Sequence, residues 1–199
     1  KTEDGYVILY YNSDLSISGN IYDKDFNCIK TIEFSKVLGY DPQLTSCELL
    51  DVNSNKICYT KNNGSELYVC DLNGNNNKML IKLDSSQNNA ANLIVGISLM
   101  EDGVAITANG RNDNKSIYFY GVTDFDGNYK LYQKYQKNKI QAPQTISNIA
   151  IWADTHLELT QTSSGEIVVY NNGKFTTINT ITSNESQYAF LGDDGNSVL

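Results

Sequence analysis

The chain repeats a short apolar segment at intervals close to fifty residues. Glu66–Val69 (ELYV) recurs as Ser116–Phe119 (SIYF) and again as Glu166–Val169 (EIVV), so that consecutive copies are 50 residues apart. An earlier copy, Asn20–Asp23 (NIYD), lies 46 residues before the first of these. Repeats of this length that consist of short alternating strands indicate a β-propeller, in which each repeat is one four-stranded blade.

Within each repeat, short apolar segments alternate with turns that favour hairpins. The best-formed copy covers residues 47–83 and contains four predicted strands. Two of its turns carry Asn-Gly pairs, Asn63-Gly64 and Asn73-Gly74, and both residue types tolerate the positive φ that tight hairpins require. We therefore predict an all-β chain, a β-propeller or propeller segment of about four four-stranded antiparallel blades.

The repeats divide the chain into approximate blades. They cover residues 4–40, 41–87, 88–140 and 141–187 of a single domain, 1–199, and another blade begins at 188–199. Only three strands are visible in the first blade. Phe34–Gly39 is predicted to form a short helical turn between the first two blades, and no long helix is predicted.

The two ends of the chain carry the same turn. Glu3–Gly5 aligns with Glu101–Gly103, the turn between a first and a second strand, and Asp193–Gly195 repeats it. In one interpretation, Tyr188–Leu191 supplies the missing first strand of the first blade and closes a four-bladed ring. In the other, which we favour, the protein continues into further blades.

The charge of the chain disfavours two classes of partner. Its 199 residues carry a net charge of −8 with a pI near 4.6, and Arg111 is the only arginine. Recognition of nucleic-acid phosphates, or of an anionic membrane, requires a basic surface, so neither partner is expected. The sequence contains no run of eighteen apolar residues, and no membrane span is predicted.

The repeat resembles that of TolB-type β-propellers. The resemblance rests on Asp51–Thr60 followed by Glu66–Gly74, because that family shows an apolar strand, an x-[I/L]-Y-V strand and an Asp-x-x-Gly turn. Met100–Gly103 and Gly192–Gly195 are similar to the family's Asp-Gly turn, and Asp124–Gly127 to its later turn. The resemblance covers most of the chain, but its motif is degenerate and specifies a blade rather than a function.

What the resemblance implies is an extracytoplasmic binding scaffold. Such a scaffold is periplasmic, cell-surface or secreted, and is often a domain of a larger bacterial protein, lipoproteins included. Similar blades also cap prolyl-oligopeptidase-type hydrolases, whose catalytic domain is not recognisable in these residues. Two features depart from the family: the Ser-Pro that usually precedes Asp-Gly is absent, and Val168 replaces the expected tyrosine.

Three residues are candidates for ligand contact. Arg111 lies on the polar segment Asn109–Asn114, which we interpret as a loop that can carry function. Trp152 is predicted on the first, innermost strand of its blade. We expect it there either to stack on a sugar or peptide group or to pack between blades. His156 is the only histidine, and without a Gly-x-Ser-x-Gly motif a structural or solvent-facing role is its main alternative.

The cysteines and acidic turns have structural alternatives as well. Cys58 and Cys70 flank the hairpin centred on Gly64, so a three-residue loop would place them opposite each other and permit a disulfide. Buried free thiols are the favoured alternative. Without a Cys-x-x-Cys motif or paired histidines, we predict no metal site and no cofactor. Asp124–Asn128 faintly resembles a calcium loop, but a hairpin turn is favoured.

These observations predict a non-catalytic binding scaffold for a protein, peptide or glycan. Its mechanism would be presentation, because rigid blades hold the loops in place. A first alternative is a glycan lyase or hydrolase that uses a pair of carboxylates. A second is a structural or sensor module of a larger surface protein. Further partners would be the remainder of a larger propeller or a second copy in a homodimer.

Overall fold

The structure is a computed structural model that describes residues 5–39, 49–53, 55–84, 86, 89–112, 115–134, 140–153, 165–181, 191–192 and 197. Within these ranges the chain forms fifteen strands and one short helix, α1 (Phe34–Leu38). The strands are β1 (Gly5–Tyr11), β2 (Ile17–Asp23), β3 (Cys28–Glu33), β4 (Leu50–Val52), β5 (Lys56–Lys61), β6 (Glu66–Asp71), β7 (Lys78–Lys82), β8 (Ala91–Leu99), β9 (Gly103–Asn112), β10 (Lys115–Asp124), β11 (Tyr129–Lys134), β12 (Gln144–Ile146), β13 (Ile149–Ala153), β14 (Gly165–Asn171) and β15 (Lys174–Ile181).

The strands form four antiparallel sheets, each built from consecutive strands. β1–β3 form a three-stranded sheet, whereas β4–β7, β8–β11 and β12–β15 each form a four-stranded sheet. We name these sheets blades 1 to 4 in chain order. Each strand pairs with its neighbours in sequence, so every blade is a meander. The predicted all-β propeller segment of about four blades is confirmed, and blade 1 has three strands within the described residues.

The first strand of blade 4 differs from the prediction. We expected Trp152 on a first strand, but the structure places it on β13, the second strand. The first strand is β12, which has three residues and follows Pro143 directly. Two of those residues, Gln144 and Thr145, are polar, so β12 lacks the apolar alternation by which a strand is recognised in sequence.

The short helix α1 follows β3 directly and confirms the predicted helical turn. It ends at Gly39, whose φ of 67° is left-handed. The backbone N–H of Gly39 donates to the carbonyl of Lys36 at 3.3 Å, which is a common way for a helix to end.

The turn between the last two strands has the same geometry in blades 1, 2 and 3. Asp23, Asp71 and Asp124 each begin it, and one oxygen of each carboxylate accepts backbone N–H groups two and four residues later, at 2.8–2.9 Å. Side-chain amides of Asn27 and Asn128 also bind Asp23 and Asp124 and hold the pKa of those two carboxyls below the usual 3.8. Asp124–Asn128, the segment that faintly resembles a calcium loop, is therefore a hairpin turn.

Glycine ends this turn in blades 2 and 3, where it touches the preceding repeat. Gly74 and Gly127 have φ of +81° and +90°. A β-carbon on Gly74 would lie 2.8 Å from the carbonyl oxygen of Val37, and one on Gly127 would lie 3.1 Å from that of Leu80. The two turns thus require glycine both for their conformation and for the close approach of the neighbouring chain.

The apolar core lies between consecutive blades. The cluster between blades 1 and 2 contains Ile21, Ile32, Phe34, Leu38, Val52, Ile57, Tyr59 and Cys70. The cluster between blades 2 and 3 includes Cys58, Leu67, Val69, Ile81, Ile94, Val104, Ile106, Ile117 and Phe119. The cluster between blades 3 and 4 contains Met100, Ala105, Ile140, Ala150 and Trp152. Both faces of blades 2 and 3 are therefore buried against a neighbour.

Leu191 lies against the far face of blade 4. It packs on Ile151, Ala153 and Ile167, and its backbone N–H donates to the side-chain oxygen of Gln144 at 3.4 Å. Within the described part of the chain, no apolar cluster contains side chains of both blade 1 and blade 4. Tyr188, which we expected either to complete blade 1 or to begin a further blade, lies outside the described residues.

Replacement of a turn glycine by alanine tests the contact between repeats. Gly173 also has a positive φ, +78°, but a β-carbon there would meet nothing within 4 Å. Gly173→Ala should therefore lower the free energy of unfolding by about 1 kcal/mol through backbone strain alone. Gly74→Ala should lower it by about 2–4 kcal/mol, because it adds a clash with Val37. Urea denaturation followed by circular dichroism measures both, and equal losses would contradict the proposed contact.

Candidate functional site

The three predicted ligand residues lie in different environments. Arg111 is exposed and lies near the end of β9. Its main chain pairs with that of Ser116 on β10, so it is part of a strand rather than of the predicted loop. Trp152 is buried on β13, with 2% of its surface exposed. His156 lies outside the described residues.

Trp152 is a core residue between blades 3 and 4. Its indole Nε1 donates a hydrogen bond to the carbonyl oxygen of Ile106 at 3.1 Å. It belongs to the apolar cluster that also contains Ala105 and Ala150. The interpretation that this tryptophan packs between blades requires a buried ring and a hydrogen-bonded indole N–H, and Trp152 has both.

One face of β9 points toward blade 4 and carries the candidate arginine at its end. Ala105 belongs to the cluster between blades 3 and 4, and Thr107 donates from its hydroxyl to the carbonyl of Gln141 at 3.1 Å. Because side chains alternate along a strand, Asn109 and Arg111 lie on this same face. Arg111 and Trp152 are thus associated with the same interface, the arginine at its exposed margin and the tryptophan within it.

An aromatic cluster fills most of this interface. Its ring centroids are 4.7–5.8 Å apart in stacked, tilted and edge-to-face arrangements. The members are Tyr120, Tyr132, Trp152, Tyr170 and Phe175. Lys130 covers the outer ring, Tyr132, with its ammonium 5.1 Å from the ring centroid. All members except Trp152 are half-buried, so the cluster reaches the surface.

The phenols of Tyr120 and Tyr170 in this cluster remain neutral near neutral pH. Burial raises the pKa of Tyr120 above its usual 10.0, and the charge of Glu166 adds to the shift. Burial also raises the pKa of Tyr170, with a further contribution from Asp102. Neutral phenols can stack and exchange hydrogen bonds, but near neutral pH they do not act as bases.

Asn109 contributes a polar atom without a partner beside the aromatic cluster. Its side-chain oxygen is buried and accepts no hydrogen bond from any residue that the structure describes. Tyr118 lies directly opposite on β10 and packs against the same interface cluster. A buried acceptor without a donor costs free energy, and functional sites are among the places where such atoms persist. The margin of the interface therefore offers an amide, a phenol and a guanidinium.

Polar side chains also connect the first strands of successive blades. Asp51 on β4 accepts from the backbone N–H of Leu99 on β8 at 2.6 Å. Thr145 on β12 donates to the carbonyl of Leu99 at 3.1 Å and lies 2.6 Å from the hydroxyl of Ser98. The Gln144–Leu191 bond continues the same pattern. These bonds fix the rotation of each blade relative to the next.

Asp51 is the carboxyl of this polar network, and its pKa is perturbed by burial. Burial raises its pKa above the usual 3.8, although the N–H groups of Leu99 and Val52 oppose the shift. Burial likewise raises the pKa of Cys58 well above 9.0, and the charge of Asp51, its partner across the strands, contributes. The Cys58 thiol is therefore protonated and unreactive near neutral pH.

The possible disulfide between Cys58 and Cys70 is not formed, and both are buried free thiols, the alternative that the sequence favoured. The hairpin loop has four residues rather than three, because Lys61 pairs with Glu66. This shifts the register by one residue, so that Cys58 lies opposite Val69. Cys58 then packs toward blade 3 and Cys70 toward blade 1, on opposite faces of the sheet.

Sequence reasoning missed Asp51, Asn109 and the tyrosines of the interface. The alternation of Tyr118 and Tyr120 on β10, opposite Asn109 and Thr107 on β9, was the available signal, but it required the register of the hairpin. No group of three or more metal-ligating side chains is found in the described ranges. No helix among the same residues is long and apolar enough to span a membrane.

Comparison with known proteins identifies a fold rather than a family. No protein-family model and no curated protein sequence matches the chain. Acylaminoacyl peptidase from Pyrococcus horikoshii matches 97% of the chain with a TM-score of 0.53 and 13% identity. The chain spans about a third of that protein, 32% of its length.

Two further structures have lower TM-scores. The β-propeller domain of the Trilobed protease from Pyrococcus furiosus, described as having an open velcro topology, covers 94% of the chain at 13% identity, with a TM-score of 0.46 over 55% of that domain. A puromycin-hydrolyzing peptidase from Mycobacterium tuberculosis covers 88% at 9% identity, with a TM-score of 0.49 over 30% of its length. The first likeness and the four stacked meanders together identify this chain as a set of β-propeller blades.

Replacement of Trp152 separates packing from ligand contact. Trp152→Phe leaves the carbonyl of Ile106 without its donor and leaves a small cavity. We expect a loss of about 2–4 kcal/mol in the free energy of unfolding. Tyr129→Phe, at a side chain that is 50% exposed, is the control and should have almost no effect. Circular dichroism in urea measures both, and an unchanged Trp152→Phe variant would contradict the packing role.

Asp51→Asn tests the polar network between first strands. An asparagine must turn its NH₂ group toward one of two backbone N–H groups, those of Val52 and Leu99, so the variant should be less stable. Because the folded pKa of Asp51 is raised, its proton stabilises the folded state below 3.8, and this benefit is lost as pH rises through the folded pKa.

The unfolding free energy of the wild type minus that of Asp51→Asn should therefore decrease as pH rises from 3.8. Urea titrations at acidic and neutral pH measure this difference. A difference that is flat or increases with pH would contradict the assignment.

Proposed function

We propose that this chain is a non-catalytic binding module whose ligand, a protein, peptide or glycan, contacts the margin of the interface between blades 3 and 4. The observation that carries the proposal is that one face of β9 is packed against blade 4 at its inner part and is polar at its outer part. Its inner part packs against blade 4 through Ala105 and Thr107. Its outer part carries the exposed Arg111, next to Asn109, whose buried oxygen has no hydrogen-bond partner among the described residues.

Arg111 determines the chemistry of the ligand that we expect there. It is the only arginine of a chain with a net charge of −8, and it makes no ion pair with the described carboxylates. A guanidinium binds a carboxylate through two parallel hydrogen bonds. The half-buried ring of Tyr118 beside it provides a stacking surface. An acidic peptide or a uronic-acid glycan satisfies both groups.

The mechanism that we infer is presentation by a rigid frame. The Asp51–Leu99 and Thr145–Ser98 contacts fix neighbouring blades, and the aromatic cluster fixes blade 4 on blade 3. A site on the margin of such an interface keeps its shape before the ligand arrives, which reduces the ordering cost of binding. His156, which lies outside the described residues, remains a predicted ligand contact.

The TolB-type resemblance supports a cellular location and a protein context for this function. It favours an extracytoplasmic module of a larger bacterial protein, including a lipoprotein, in which the remainder of a propeller or a second copy is a further partner. The likeness to the acylaminoacyl peptidase supports only the propeller architecture of this proposal.

Binding of acidic probes tests the proposal. A panel of acidic peptides and oligogalacturonates should include ligands for the wild type, and Arg111→Ala should weaken their binding by about 10-fold or more, as measured by isothermal titration calorimetry. Arg111→Lys should restore only part of the affinity, because lysine cannot bind two oxygens in a planar fork. Lys174→Ala, at an exposed cation of blade 4, is the matched control. No binding, or binding insensitive to Arg111, would contradict the proposal.

A further inference from the structure

The chain contains four Asn-Gly pairs, which the structure holds in different environments. They are Asn63-Gly64, Asn73-Gly74, Asn109-Gly110 and Asn172-Gly173. Asparagine is a chemically labile residue. Where glycine follows it, the backbone nitrogen of the glycine can attack the side-chain amide, because no β-carbon obstructs the approach. The freedom of each turn to rearrange therefore determines which of the four pairs reacts.

The pair at Gly64 is held between blades 2 and 3. Gly64 is buried, and its N–H donates to the carbonyl of Lys61 at 3.1 Å. A β-carbon at this position would lie 2.7 Å from the carbonyl oxygen of Ile94. Movement of the glycine nitrogen toward a side chain would break the first contact and disturb the second, so this turn is restrained.

Two further pairs are held in comparable ways. The N–H of Gly74 donates to the carbonyl of Asp71 at 3.0 Å, and the turn touches Val37 of the preceding repeat. Gly110 is buried within β9, whose main chain pairs with β8 on one side and with β10 on the other. A rearrangement at either glycine would require local opening of the sheet or of the contact between repeats.

The pair Asn172-Gly173 is free of these restraints. It forms the two-residue turn between β14 and β15, in which Asn171 pairs with Lys174. Asn172 and Gly173 have φ of 48° and 78°, the positive values of a type I′ hairpin turn, and both are exposed. A β-carbon on Gly173 would meet nothing within 4 Å. The N–H of Gly173 contacts the phenol oxygen of Tyr170, and among the described residues no turn carbonyl holds it.

Asn148 places a hydrogen-bond donor on the group that would be attacked. Its side-chain Nδ2 donates to Oδ1 of Asn172 at 3.1 Å. Attack on the amide carbon moves negative charge onto that same oxygen, and a donor already in place stabilises the charge as it forms. The turn between β12 and β13, which carries Asn148, thus assists a reaction in the turn between β14 and β15.

We propose that Asn172 is a deamidation site, where the chain modifies itself with water as the co-reactant. The nitrogen of Gly173 gives its proton to hydroxide and forms a bond to Cγ of Asn172. The bond from Cγ to Nδ2 breaks, and the amide nitrogen takes a proton from water and leaves as ammonia. Water then opens the cyclic succinimide at either carbonyl and produces aspartate or isoaspartate at position 172. The net reaction consumes one water and releases one ammonia.

The modification adds a carboxylate at the border between blades 3 and 4. Tyr170, two residues before the turn, belongs to the aromatic cluster there and already senses the charge of Asp102. The product adds a further negative charge to a chain whose net charge is −8. Asp102 precedes β9 and Arg111 lies near the other end of that strand, so this site does not depend on the ligand site at Arg111.

Peptide mapping by mass spectrometry tests the proposal on the unaltered chain. The folded protein is incubated at mildly alkaline pH, and a parallel sample is incubated unfolded in guanidinium chloride. Unfolding removes the different restraints, and glycine is the next residue in all four pairs, so the unfolded sample gives the reference rate for each. Asn172 should react in the folded chain at close to its unfolded rate, whereas the other three pairs should be slowed by about ten-fold or more.

Equal suppression of all four pairs in the folded chain would overturn the proposal, and so would faster reaction at a pair other than Asn172. Separation of the aspartate and isoaspartate peptides identifies the succinimide, since direct hydrolysis of the amide gives aspartate alone. Absence of isoaspartate at position 172 would therefore contradict the attack by Gly173.

Two variants test the assigned roles. Gly173→Ala should slow the reaction by about ten-fold, because the added β-carbon obstructs the attack. Asn148→Ala should slow it by about three-fold, because the forming oxyanion loses its donor. Thr176→Ala, at an exposed position of the same hairpin, is the control and should react like the wild type. Circular dichroism verifies folding, and an Asn148→Ala variant that reacts as fast as the wild type would overturn the role of Asn148.

Discussion

Burial of apolar sheet faces against neighbouring sheets is the interaction on which this structure depends. A four-stranded meander that is apolar on one face only can leave its other face exposed to water. Blades 2 and 3 are apolar on both faces and must therefore lie between two other blades. Ile57 and Val104 have no exposed surface because the preceding blade covers them. Each blade is thus incomplete without its neighbours, and stability is shared along the stack.

Hydrogen bonds between blades and close contacts at the turn glycines make this stacking specific. Apolar surfaces alone would let two blades slide or rotate, because hydrophobic contact has no direction. The carboxylate of Asp51 on the backbone of Leu99, and the turn glycines against the neighbouring repeat, allow one arrangement only. Asp51 carries a cost, since burial opposes its ionisation, and two backbone donors offset that cost only in part.

A feature of this structure is predictable from the sequence when the residues that determine it are close together in the chain. The repeat, the meander and the Asn-Gly hairpins are local patterns, and they were predicted correctly. Register is not local: one extra loop residue before Glu66 separated Cys58 from Cys70 and excluded the disulfide that a three-residue loop would have permitted. Trp152 was assigned to the wrong strand because the true first strand, β12, is short and polar. The conserved geometry of the Asp23 turn was hidden by Phe26, which adopts a glycine-like conformation.

The same constraint determines where a ligand can bind. Faces between blades are filled, so the surfaces left to a ligand include the margins of the interfaces. Arg111 lies at a margin, where a strand continues past the packed aromatic rings. This margin is a place where the repeat departs from its own pattern, and such departures distinguish positions selected for function from positions selected for stacking.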